Sequence, residues 1–147
     1  MASLRRWIAG SLSLCMLMGA SAIWAHHSGA NFDRNQQYLF KGTVRKVIWS
    51  NPHVWIYLDV VKANGRTELW GFELQGGTNM LRRAGWKPTD VKAGDKVTLQ
   101  AAIDRTGTRI GAMETVQTPD GRTLSAWPKG PGAPPGFAEP KKPIEYK

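Results

Sequence analysis

The sequence predicts an all-β chain: a small five-stranded OB-like Greek-key barrel with one short helix between strands three and four. Three observations predict it. Short segments alternate apolar and polar residues, most clearly Val54, Ile56, Leu58 and Val60 against Trp55, Tyr57, Asp59 and Val61. That period of two marks a strand with one buried face. Turn residues separate the segments, with Asn64-Gly65 and Pro119-Asp120-Gly121 the strongest; such residues tolerate the backbone angles that tight turns need. A single helical stretch then follows three strands and precedes two more, the order of an OB-like barrel. Closing the sheet also removes the exposed edges that a short all-β chain must otherwise protect. A small open sandwich is the alternative architecture.

The first strand is expected over 40–49, where Val44, Val47, Ile48 and Trp49 supply β-branched and aromatic residues. Gly42 and the broken alternation at Arg45-Lys46 predict a bend or bulge. Pro52 lacks an N–H and keeps Asn51 out of helical geometry, so the chain turns there. The second strand spans 54–61, with Val54 facing inward and Trp55 and Tyr57 outward. After the Asn64-Gly65 hairpin, 67–74 returns as the third strand. Its apolar residues fall on both parities, which suggests cover on both sides. The helix is expected over 78–84, capped by Thr78 or Asn79 and ended by Gly85, with Arg82 and Arg83 favourable at its C-terminus. Trp86 then packs the helix end onto the body. Strand four is 95–103, with Val97, Leu99, Ala101 and Ile103 inward. Strand five is 109–118, where Glu114 interrupts the apolar parity and predicts a bulge. A short strand over 122–124 completes the set.

Three regions differ in composition. Arg5 and Arg6, the apolar run from Trp7 to Met18 and the small residues Gly19 to Ala22 form the layout of a secretory signal peptide. The run is too short to span a bilayer comfortably. Cleavage after Ala25 is favoured over cleavage after Ala22, giving a signal at 1–25, a barrel domain at 26–126 and a periplasmic protein. The tail, 127–147, holds six of the nine prolines and is expected to be extended or disordered. The one cysteine, Cys15, lies inside the signal, so the mature chain has no disulfide and no thiolate for catalysis or metal binding. Net charge is +9, and removal of Arg5 and Arg6 leaves +7. Such a charge attracts polyanions. Export argues against nucleic acid as the partner, and no transmembrane segment remains after signal removal.

Several short motifs follow in order: Ala25-His26-His27-Ser28, Phe32-Asp33, Gly42-Thr43-Val44, Asn51-Pro52-His53-Val54-Trp55, Trp70-Gly71-Phe72-Glu73, Leu81-Arg82-Arg83-Ala84-Gly85-Trp86, Gly94-Asp95-Lys96-Val97 and Asp120-Gly121-Arg122. As an ordered set, over 26–124, they resemble a family of small exported bacterial proteins known as domain of unknown function 6152. The resemblance implies export and an OB-like fold, and it carries no established activity.

Two constellations offer chemistry. The mature chain has three histidines, His26, His27 and His53. With cleavage after Ala25, the α-amine and ring Nδ1 of His26 can chelate one metal. His27 or His53 would complete a planar three-nitrogen site, which suits Cu(II) best and allows Zn(II). A first strand of about 33 Å and an N-terminal arm able to run back about 45 Å permit His26 to meet His53. Asp33 is the candidate to orient a histidine from behind. The bland alternative is a set of structural or exposed histidines. The second constellation is an aromatic and basic face, Trp55, Tyr57, Trp70, Arg82 and Arg83, able to take an exported partner protein or an anionic ligand. Its bland counterpart is tryptophans filling the barrel. No recognised catalytic motif is present: Glu68 and Glu73 lie on opposite parities, and Ser28 beside His27 is no triad signature. The chain therefore reads as a binding or accessory protein rather than an enzyme.

Overall fold

The computed structural model describes residues 31–127 and 143–147. The barrel strands are β1 (Tyr38–Ile48), β2 (Val54–Val61), β3 (Thr67–Leu74), β4 (Lys96–Ile103) and β5 (Ile110–Gln117), with helix α1 (Thr78–Arg83) between β3 and β4. A short β6 (Thr123–Ser125) and a two-residue β7 (Ile144–Glu145) are appended to it. β1 pairs with β2, β2 with β3, β3 with β5, β5 with β4 and β4 with β1, so the sheet closes on itself. The β3–β5 pairing is parallel; the other four are antiparallel. This is the predicted OB-like barrel with its single helix in the predicted place.

The alternation in β2 does what its period requires. Val54, Ile56, Leu58 and Val60 are buried, and Trp55 and Tyr57 lie half-buried on the outer side. β3 separates more cleanly than its composition suggests. Trp70, Phe72 and Leu74 enter the core, while Gly71 and Glu73 line the outer face. Val97, Leu99 and Ala101 of β4 join Phe40, Val44, Met113 and Val116 in the same core. Both expected bulges are present. β1 shifts register against β2 between Val44 and Lys46, and β4 against β5 between Gln100 and Ala101. The second shift skips Glu114 in the β4–β5 register, which lets Met113 and Val116 both face inward.

The helix boundary at Gly85 is as expected: φ is +91°, and Gly85 and Trp86 donate to the carbonyls of Arg82 and Leu81, the paired bonds of a Schellman ending. Its start is different. The cap residue is Gly77, and neither Thr78 nor Asn79 supplies a capping side chain. Asn51 Oδ1 instead accepts the Thr78 N–H at 3.0 Å and the Thr78 hydroxyl at 3.2 Å. The acceptor comes from the β1–β2 turn because that turn lies against the helix start: a Cβ on Gly77 would stand 2.8 Å from Asn51 Oδ1. Trp86 is buried and donates its indole N–H to Ser125 O at 2.7 Å, tying the helix end to β6.

The described part of the N-terminal arm, from residue 31, packs on the outer face. Phe32 bridges Asp104 and covers Ala102 and Ala112. Residues 128–142 of the tail lie outside the described residues. The last five residues carry structure of their own: β7 pairs with Tyr38 and Leu39, and Tyr146 packs on the core.

Candidate functional site

The outward row that begins before β2 contains His53, Trp55, Tyr57 and Asp59. Alternation places them on one side of the sheet. Trp55 and Tyr57 stack with ring centroids 6.2 Å apart and planes 25° from parallel. They rest on β3 at Gly71, where a Cβ would stand 3.4 Å from Tyr57 and 3.6 Å from Trp55. Lys46, opposite Tyr57 on β1, holds its ammonium 4.4 Å from the Tyr57 ring centre, within cation–π range.

His53 stands at the end of this row. Its Nδ1 lies 3.0 Å from Glu73 Oε1 and 3.3 Å from Leu74 O. Both neighbours are acceptors, so Nδ1 carries the hydrogen and the lone pair of the neutral ring is on Nε2. Glu73 reaches His53 because it stands opposite Trp55 in the β2–β3 ladder. The chain of contacts continues outward. Glu73 Oε2 accepts from Gln75 Nε2 at 3.3 Å, and Gln75 Oε1 accepts from Arg34 Nη2 at 3.2 Å. Burial pushes the Arg34 guanidinium below its ordinary pKa, while Glu114 and Glu73 oppose that shift. Glu114, displaced by the bulge, accepts from Gln37 at 2.7 Å and from Gln100 at 3.4 Å. The arm is thus linked through Arg34 to the residues that hold His53.

The residues singled out from sequence are treated unequally. Trp55 and Tyr57 share the outer face. Trp70 does not: it is 3% exposed, packs on Phe40 and donates to Glu68, so it takes no part in the Trp55–Tyr57 face. Arg82 and Arg83 are exposed on α1, with no contact to the Trp55–Tyr57 pair among the described residues. Asp33 stands 3.6 Å from Arg105 and accepts the Asn35 N–H; the carboxylate on His53 is Glu73. His26 and His27 lie outside the described residues. Among the described residues no group of three His, Cys, Asp or Glu side chains could hold a metal. None of their helices is long and apolar enough to cross a membrane.

Gln75 and Arg34 were not singled out from sequence; Glu73 entered that reading only as a candidate catalytic acid, and Lys46 at the break in alternation. Parity places Glu73 on the outward face of β3. Its partnership with His53 depends on strand register, which no local pattern specifies.

The ordered motifs agree with the comparison of the chain against protein families. The model of a family of unknown function, DUF6152, matches residues 14–114. The chain belongs to the DUF6152 family. The match takes in the Asn51–Trp55 turn, β2, β3 and α1 and ends at the bulged Glu114. No curated protein and no solved structure matches the chain.

Proposed function

We propose that this DUF6152 protein is an exported periplasmic binding protein that coordinates Cu(II), or secondarily Zn(II), through His53. The observation that carries the reading is the commitment of His53 Nδ1 to Glu73 and Leu74. It leaves Nε2 as the ring's one coordinating atom, and the carboxylate behind the ring fixes its orientation, as in many metal centres. The remaining nitrogens would come from His26, as the mature N-terminus after cleavage at Ala25, with His27 as the alternate ligand. The Arg34–Gln75–Glu73 contacts support this pairing, because they hold Arg34, eight residues after His26 in the sequence, at the His53 end of β3. The segment between His26 and Asn31 can reach about 17 Å when extended.

The test is calorimetric titration of Cu(II) into secreted protein whose N-terminus has been established by mass spectrometry. Binding tighter than about 1 μM is expected, abolished by His53→Ala and weakened about 10- to 100-fold by Glu73→Gln. An added N-terminal methionine should also abolish it by moving the α-amine. A mature chain starting at Ile23, or His53→Ala binding copper as well as wild type, overturns the reading.

A second reading has its own support in the Trp55–Tyr57 stack over Gly71 with Lys46 at its edge. This is a metal-free face for an exported partner protein or a planar, anionic ligand. Trp55→Ala separates the two, since it removes the stack and leaves the histidine nitrogens in place.

A further inference from the structure

A different aromatic feature lies at the end of β2 away from His53. β2 pairs with β1 from Gly42 onward, which leaves the earlier part of that β1 edge open to another strand. β7 takes it. Ile144 N–H donates to Gln37 O and Tyr146 N–H to Leu39 O, each at 2.9 Å. The Tyr146 ring lies 4.7 Å from Phe40 and 5.0 Å from Trp70, centre to centre. Its hydroxyl donates to Glu68 Oε2 at 3.1 Å. Lys62 holds its ammonium 3.9 Å from the ring centre, and Lys41 pairs with Glu145 at 2.8 Å.

We propose that this slot is a β-addition site for a short extended segment carrying an acidic residue followed by tyrosine. The chain's own C-terminus is its tethered, displaceable occupant, and a strand of that pattern from a partner protein is its competitor. The division of labour fits β-addition: backbone hydrogen bonds supply affinity without regard to sequence, and one side-chain pocket supplies selectivity. The slot is built into the barrel, since Phe40 and Trp70 are core residues. The occupant is not. β7 has two residues, Ile144 is 48% exposed, and a strand so short holds little stability of its own. Lys41 and Lys62 make the slot selective for an acidic visitor. None of this depends on His53.

The probe is a fluorescent peptide of sequence Pro-Ile-Glu-Tyr-Lys, titrated by anisotropy against the full-length chain. In wild type the tethered segment competes at an effective concentration on the order of millimolar, so Tyr146→Ala should bind the peptide about tenfold more tightly. Ile144→Pro, which deletes one of the two strand N–H donors while keeping the tyrosine, should act in the same direction. It carries the test should Tyr146→Ala fail to fold. A peptide with alanine for tyrosine should not bind, and Lys41→Glu in the Tyr146→Ala background should weaken binding. If neither variant gains affinity over wild type, or the alanine peptide binds equally well, the proposal is overturned.

Discussion

Asn51 caps a helix that begins 27 residues later. Its side-chain oxygen takes two donors at the first turn of α1, the Thr78 N–H and hydroxyl, and so replaces the local cap that Gly77 cannot provide. The same turn delivers His53 to Glu73, so one short motif fixes both the helix start and the histidine. Asn51→Ala should lower stability by about 1 kcal/mol, the usual worth of a helix cap. Asn51→Asp, which keeps an acceptor oxygen, should lose less. Urea unfolding of the three proteins checks this, and equal midpoints for Ala and wild type would refute the capping role.

β1 is the element on which the barrel turns. Its first half pairs with β4 and its second half with β2, and both partners meet it at Gly42 and Thr43. At that crossover the strands come too close for a side chain: a Cβ on Gly42 would stand 2.3 Å from Asp59 O and 2.8 Å from Leu58 Cγ. The first obstacle is backbone, which cannot rotate away. Gly42→Ala should therefore cost about 3 kcal/mol, the upper end for overpacking. The expected signature is a lower urea midpoint with an unchanged slope, and a loss below about 0.5 kcal/mol, the ordinary range for a surface change, would show that the crossover gives way. The bulge in β5 illustrates the same coupling of element to site. By displacing Glu114 it places a carboxylate beside Gln37 and Gln100, under the arm that carries Arg34.

At the scale of the whole molecule, the acidic residues are few and several are held below the ordinary carboxylate range. The Trp70 indole N–H does this chiefly for Glu68, the Thr106 backbone N–H for Asp104 and Lys41 for Glu145. Asp120, held chiefly by the Thr118 hydroxyl and then by Arg122, is lowered to about 2. A carboxylate with a folded pKa below its unfolded value binds fewer protons when folded. Its stabilisation is present above the unfolded value and lost as pH falls through the folded one. Melting temperature should accordingly fall as pH drops from about 4.5, near the unfolded values, to about 2. The Lys41–Glu145 part is an exposed ion pair, so salt should weaken that part. Asp120→Asn should remove the lowest part of it. A melting temperature that is level or rising across this range would contradict the assignment.

What the sequence determined by itself was local. Period-two alternation settled the inward set of β2, Asn64-Gly65 the first hairpin, Gly85 the helix end, and the breaks in parity at Arg45-Lys46 and Glu114 the two bulges. Each depends on residues within a few positions, where steric preference and one buried face suffice. The outward placement of Trp55 and Tyr57 came from the same rule. What tertiary structure decided was every partnership across the barrel: Asn51 with Thr78, Glu73 with His53, Arg34 with Gln75, and Tyr146 with Phe40 and Trp70. These join residues far apart in the chain, and a strand's outward face says nothing about its neighbour until register is set. Trp70 makes the point for the site: its aromatic character suggested a surface, while the β2–β3 ladder turned it into the core. His53 is the converse, a turn histidine in the sequence that strand pairing places against a carboxylate.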